Sequence, residues 1–139
     1  MKKIIFVLII AVSTYSSVNS QSVQNSSHST IGYIKSNGTI ESRSHSTIGY
    51  FATSGAIQSS SHSTIGYIKN DGTIQNQSHS TIGYITAGGT VQNHSHSTIG
   101  YVKDNGRVED ASHSTIGYAE GIDKEWVAVY FFFFSFYGR

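Results

Sequence analysis

Ser27-His28-Ser29-Thr30-Ile31-Gly32-Tyr33 is the stretch that decides the fold, because the chain writes this motif six times. Its histidine stands at 28, 45, 62, 79, 96 and 113, always 17 residues apart, with no insertion or deletion. A fixed period defines the unit from which a fold is built. Helical repeats begin near ~33 residues, so this shorter unit has room for two short strands and two turns. Turn chemistry recurs at one place in each unit: Asn37-Gly38, Ser54-Gly55, Asp71-Gly72, Gly88-Gly89 and Asn105-Gly106. Such pairs suit a two-residue type I′ hairpin turn, in which both central residues need φ > 0. The strand before each turn reads Ser-Thr-Ile-Gly-Tyr-Ile or similar, and the strand after it Thr-Ile-Gln or a close variant. These residue types favour a pleated surface.

Alternation puts Ile31, Tyr33 and Lys35 on one face of the first unit and His28, Thr30, Gly32 and Ile34 on the other. A turn centred on Asn37-Gly38 would pair Ser36 with Thr39, Lys35 with Ile40 and Ile34 with Glu41. Ile40 would then join Ile31 and Tyr33 on the more apolar face. The opposite face holds Gly32, Gly49, Gly66, Gly83, Gly100 and Gly117, each followed by a tyrosine: Tyr33, Tyr50, Tyr67, Tyr84, Tyr101 and Tyr118. A glycine inside a strand often marks close approach of another backbone. Six equal gaps imply hairpins that lean on one shared object. A lone hairpin is marginal in water, so the units must stack as a linear β-solenoid or close into a ring without free edges.

The motif ends at Tyr118, and Trp126 to Tyr137 is apolar or aromatic on almost every side, with Phe131, Phe132, Phe133 and Phe134 in succession. The run is short of the ~20 residues of a membrane-spanning helix. A helix apolar all round is a buried one. Asp123 stands as its N-cap and Glu125 in its first turn. A strand and a membrane-touching aromatic tail are the competing readings. A solenoid has no place for a rod apolar on all sides, so the segment selects the ring. The expected fold is mainly β: a closed ring of short antiparallel hairpins over residues 21–118, around a central hydrophobic helix within 119–139. The linear β-solenoid is the alternative.

Five 17-residue hairpin units, the Gly-Tyr-Ile-x-x-x-Gly-x-Ile pattern of residues 32–40 and the hydrophobic C-terminal segment resemble the bacterial five-fold β-flower proteins. The resemblance extends over roughly residues 21–139. It implies short hairpins radiating like petals around a central hydrophobic helix, an arrangement likened to the Tubby C-terminal barrel. The family implies no established activity, while the Tubby likeness implies phosphoinositide or membrane contact.

At the other end, Lys2 and Lys3, the apolar run Ile4 to Val12 and the small residues up to Ser20 read as a secretory signal peptide over residues 1–20. An exported protein is expected: periplasmic, cell-surface or secreted. Its removal leaves seven basic residues (9 − 2) against eight acidic ones. The absence of cysteine excludes a disulfide scaffold, a zinc ribbon and a thiol nucleophile. Charged residues make up 12% of the chain, and a formal charge of +1 carries no basic footprint for nucleic acid.

The six repeat histidines are the obvious candidate site, since imidazole binds transition metals. Ligand nitrogens must converge on one ion at ~2.0–2.1 Å, whereas residues related by rotation on the outside of a ring diverge. These histidines are therefore expected at turns, hydrogen-bonded to serine or backbone, with His94 and His96 left as a weak surface metal pair. The Ser-His adjacency puts base and nucleophile on opposite strand faces. Glu41, Asp71, Asp104, Glu109 and Asp110 fall at turns and edges where solvation is expected. No enzyme and no cofactor is expected. The architecture should rest on the six Gly-Tyr pairs with Trp126 and Phe131 to Phe134. The expected function is an exported, non-catalytic structural or binding module facing a protein, glycan or envelope component. The alternatives are a membrane-associated protein using its aromatic tail, and an ice- or surface-binding repeat protein.

Overall fold

Both turns of the unit share one construction, and it is not the type I′ turn. In the glycine turn, Gly55 N–H donates to the Ala52 carbonyl at 3.0 Å and Ala52 N–H to the Ala56 carbonyl at 2.9 Å. Only the second residue of each pair has positive φ, from 85° to 91° at Gly38, Gly55, Gly72, Gly89 and Gly106. This is a three-residue loop, a type I turn finished by one left-handed residue. The histidine turn is the same: His28 N–H donates to Asn25 at 3.0 Å, and His28 has a φ of 62° where the other turn has glycine. The third loop residue moves the register by one. Ile34 pairs with Ile40, Tyr33 with Glu41 and Gly32 with Ser42. A slip of one turns every side chain of a strand over. Ile40 therefore lies inward with Gly32 and Ile34, rather than with Ile31 and Tyr33.

The computed structural model describes residues 18–136. Its strands are β1 (Ser20–Asn25), β2 (Thr30–Lys35), β3 (Thr39–Ser42), β4 (Thr47–Phe51), β5 (Ala56–Ser59) and β6 (Thr64–Ile68). They continue as β7 (Thr73–Asn76), β8 (Thr81–Ile85), β9 (Thr90–Asn93), β10 (Thr98–Val102), β11 (Arg107–Asp110) and β12 (Thr115–Tyr118). Each strand is antiparallel to the next, and β1 closes on β12, so the sheet is a closed barrel and not a linear solenoid. The charged and apolar parts of the expected signal peptide, Lys2 to Val12, lie outside the described residues.

The ring holds six units rather than five, because β1 supplies the strand that the first motif copy lacks. Its Val23 stands where Ile40, Ile57, Ile74, Val91 and Val108 stand elsewhere, and all six side chains are fully buried. Each motif strand bulges at its isoleucine: Ile40 faces Gly49 and Glu41 faces Thr47, leaving Ile48 unpaired between them. Bulges raise local twist, which helps a narrow ring to close.

The centre is filled by the C-terminal segment, though not by the single helix expected. α1 (Lys124–Ala128) runs into a π-helical turn (Val129–Phe133), and Phe134 is extended, with φ −128° and ψ 132°. Asp123 accepts the Val127 N–H through its carbonyl at 3.0 Å, but its side chain makes no capping bond. α1 leans toward β8 and β10. Phe51 fills the opposite side, its ring stacked on Trp126 at 5.0 Å.

The six strand glycines each receive one aromatic ring. Gly32 meets Tyr130, Gly117 meets Phe131, Gly100 meets Phe132, Gly83 meets Phe133, Gly66 meets Phe134 and Gly49 meets Phe136. A Cβ at any of the six would come within 2.8 Å of its aromatic side chain, meeting the Tyr130 hydroxyl at Gly32 and a ring carbon at the other five. Consecutive residues thus address consecutive units around the circle, and only Ser135 is passed over. Six units set a step of about 60°, whereas an α-helix turns by about 100° per residue. The wider i→i+5 turn advances less per residue, and the extended Phe134 lets the chain finish the circuit. The helix type follows from the number of petals.

Candidate functional site

The outer face carries a belt of stacked ring pairs, each joining two units. His45 lies on Tyr33, His62 on Tyr50 and His79 on Tyr67, all with ring centroids 4.2 Å apart. His96 lies on Tyr84 at 4.1 Å and His113 on Tyr101 at 4.3 Å. His28 lies on Tyr118 at 4.1 Å, across the junction of β12 and β1. Left-handed φ costs an L-residue about 1–2 kcal/mol, and histidine is among the side chains enriched there. The stack returns about 0.5–1.5 kcal/mol, which offsets much of that strain.

The structure therefore assigns the repeat histidines to tyrosine stacks more than to serine or backbone partners. Three imidazoles also reach a side chain four residues earlier: His45 to Glu41 at 3.1 Å, His79 to Gln75 at 3.4 Å and His113 to Glu109 at 3.2 Å. Among the described residues no group of three or more His, Asp or Glu could hold a metal ion. Of the weak pair, His96 is engaged with Tyr84, and His94 is exposed.

Sequence reasoning passed over the position beside each tyrosine, occupied in turn by Gln24, Glu41, Gln58, Gln75, Gln92 and Glu109. The 17-residue period was the signal that could have found it. Glu41 and Glu109 are not solvated edge residues, being only 5% and 2% exposed. Glu41 takes Lys35 at 2.6 Å, and this bond, with help from His45, holds its carboxyl below the usual range against the effect of burial. At Glu109 burial is the largest influence and pushes upward. It is outweighed by His113, by Arg107 at 2.7 Å and by Lys103 at 3.5 Å, so this carboxyl is also lowered. Asp71 stays at an exposed turn, lowered by the Thr73 N–H that it accepts at 3.0 Å. Asp104, likewise exposed, is lowered by its bond to Lys124.

Surface grooves lie along the belt. One, on β6 and β7, is lined by Tyr67, His79, Gln75, Lys69 and Ser54. Three units away, the corresponding groove at the β12–β1 junction is lined by Tyr118, His28, Gln24, Gln21, Asn105 and Glu120. This junction is the one neighbouring pair without a hairpin turn, because the chain leaves β12 for α1. It is held by two registered pairs, Gln24 with Tyr118 and Asn25 with Gly117. No helix among the described residues is long and apolar enough to cross a membrane.

A family model described as "5-fold beta-flower protein" matches residues 10–70 and 51–135. Comparison with curated proteins and with solved structures gives no match.

Proposed function

The chain belongs to the 5-fold beta-flower family as a small structural repeat protein, and from that membership we propose an exported, non-catalytic scaffold that binds an envelope component through its outer surface. The observation that carries this reading is the filled interior. Six aromatic rings occupy the six glycine gaps, so the centre is taken by the chain itself and a partner is left the outside. There the same Tyr–His stack recurs unit after unit, and repeated sites on one rigid body raise avidity without any new kind of contact. The aromatic segment, on which a membrane-associated reading would rest, is packed against the ring glycines. An ice-binding reading needs a flat array, which a closed ring lacks.

Co-sedimentation of the exported protein with isolated wall polysaccharide and with liposomes tests this. Retention by polysaccharide, reduced in the triple variant Gln24→Ala, Gln75→Ala, Gln92→Ala, supports it. Retention by liposomes alone, or by neither material, overturns it. Mass spectrometry of the exported product should show cleavage after Ser20.

A further inference from the structure

We infer that the groove at the β12–β1 junction is a binding site for a neutral, hydroxyl-rich sugar, an inference that rests on the outer-surface reading above. Tyr118 and His28 are stacked with an interplanar angle of 15° and form an aromatic wall. Gln21, Gln24 and Asn105 bring three carboxamides to the same groove, each with both donors and acceptors, and Glu120 adds an acceptor-only carboxylate. Among the described residues the side chains of Gln21, Gln24 and Glu120 have no hydrogen-bond or ion-pair partner, so their capacity faces the groove. Asn105 is partly used, its Oδ1 accepting the Arg107 N–H at 3.0 Å.

A sugar ring alternates apolar C–H patches with hydroxyls. The aromatic wall suits the first, and carboxamides with a carboxylate suit the second. Neither Lys nor Arg lines the groove, so an anion would find Glu120 and no counter-charge. A cation would find one carboxylate only. A protein partner would favour apolar or arginine-filled pockets at its centre, and this groove is lined mostly by polar side chains without arginine. The junction differs from the other units for a structural reason. Elsewhere a glycine turn is bonded to the next unit, as Phe51 N–H is to the Gly38 carbonyl at 2.8 Å. In the β6–β7 groove Lys69 is present and Gln75 is engaged by His79 at 3.4 Å.

Chemical-shift titration of the exported, isotope-labelled protein with cellotriose, maltotriose and chitotriose tests the site, with trigalacturonic acid as the anionic comparison. Saturable shifts at Tyr118 and His28 with at least one neutral trisaccharide are expected. Loss of one engaged hydrogen-bonding group should weaken binding about tenfold in Gln24→Ala and in the exposed Glu120→Ala. Gln77→Ala, at an exposed turn away from the junction and lining neither groove, should leave the affinity within about twofold. No saturable shift with any neutral probe, tighter binding of trigalacturonic acid, or equal loss in Gln77→Ala overturns the inference. If polysaccharide co-sedimentation persists without those shifts, the sugar site falls and the outer-surface reading stands. If both are lost, both fall.

Discussion

Replacing Gly83 by alanine tests the fit of ring to plug at one point. The new methyl would lie within 2.5 Å of two atoms of the Phe133 ring and of the Gln92 carbonyl oxygen. Carbon atoms in contact normally stand ~3.5–4.0 Å apart, so the neighbours must yield by about 1 Å. The ring can tilt, but the carbonyl belongs to β9 and is held by its neighbours. Overpacking costs about 1–3 kcal/mol, and a clash with both ring and backbone belongs at the upper end, about 3 kcal/mol. For a domain of this size that lowers Tm by about 10 °C. Gly88→Ala is the control, because its nearest neighbour is Thr86 Oγ1 at 3.9 Å. It should be neutral, or stabilising by about 0.4–1 kcal/mol through the unfolded state. Thermal and urea unfolding followed by circular dichroism supply the numbers. In a Phe133→Ala background the ring clash is gone, so Gly83→Ala should cost at least about 1 kcal/mol less than in the parent. A Tm within about 2 °C of the parent, or strictly additive penalties in the cycle, would refute the pairing of Phe133 with Gly83.

Other outcomes follow from the same geometry. Glu41 and Glu109 have folded values lowered from the usual one, so their contribution is present above about pH 4.5 and is lost as pH falls through the folded values. The double variant Glu41→Gln, Glu109→Gln should therefore lose less stability than the parent between pH 6 and pH 3, read from urea midpoints; equal losses would count against the pairing. His62 sits at φ 65°, so His62→Val should cost about 2 kcal/mol while His62→Gly stays within about 1 kcal/mol, strain relief offsetting the lost stack. Deleting residues 122–139 should abolish cooperative unfolding and raise dye binding by exposed apolar surface; a surviving cooperative transition would show that the ring stands without its plug. Calorimetric titration with Ni²⁺ should give no heat at micromolar metal, and a stoichiometric heat lost in His94→Ala would restore the surface metal pair.

The hairpin unit, the closed ring and the buried aromatic segment were all legible, because each is written as period, turn residues or bulk hydrophobicity. The register was not. Asn37-Gly38 fits a two-residue loop with both residues left-handed and equally a three-residue loop with only Gly38 left-handed, and the choice inverts the faces. The sixth unit escaped notice because β1 contains no motif copy, although Val23-Gln24 corresponds to Ile40-Glu41. Four phenylalanines in a row have no periodicity from which to read a π-helical turn. Five Tyr–His stacks join residues 12 apart on different units, such as Tyr33 and His45, and become neighbours once adjacent hairpins pair, whereas the sixth, Tyr118 with His28, needs the ring to close. Buried Glu41 and Glu109 were hidden by the ordinary expectation for an isolated carboxylate. The β2–β3 and β10–β11 hairpins bring Lys35 to Glu41 and Lys103 to Glu109, and Arg107 stands two residues from Glu109 on the same strand.

The one-to-one match of aromatics to glycines has a consequence for how such a gene can change. Tandem copies of nearly identical sequence are prone to gain or lose a copy. Most repeat arrays tolerate this, since each unit touches only its neighbours. Here a seventh unit would bring a glycine with no ring to cover it, and a chain of five units would leave one aromatic without a gap. The C-terminal segment is thus a tally of the petals, and copy number can drift only if tail and ring change together.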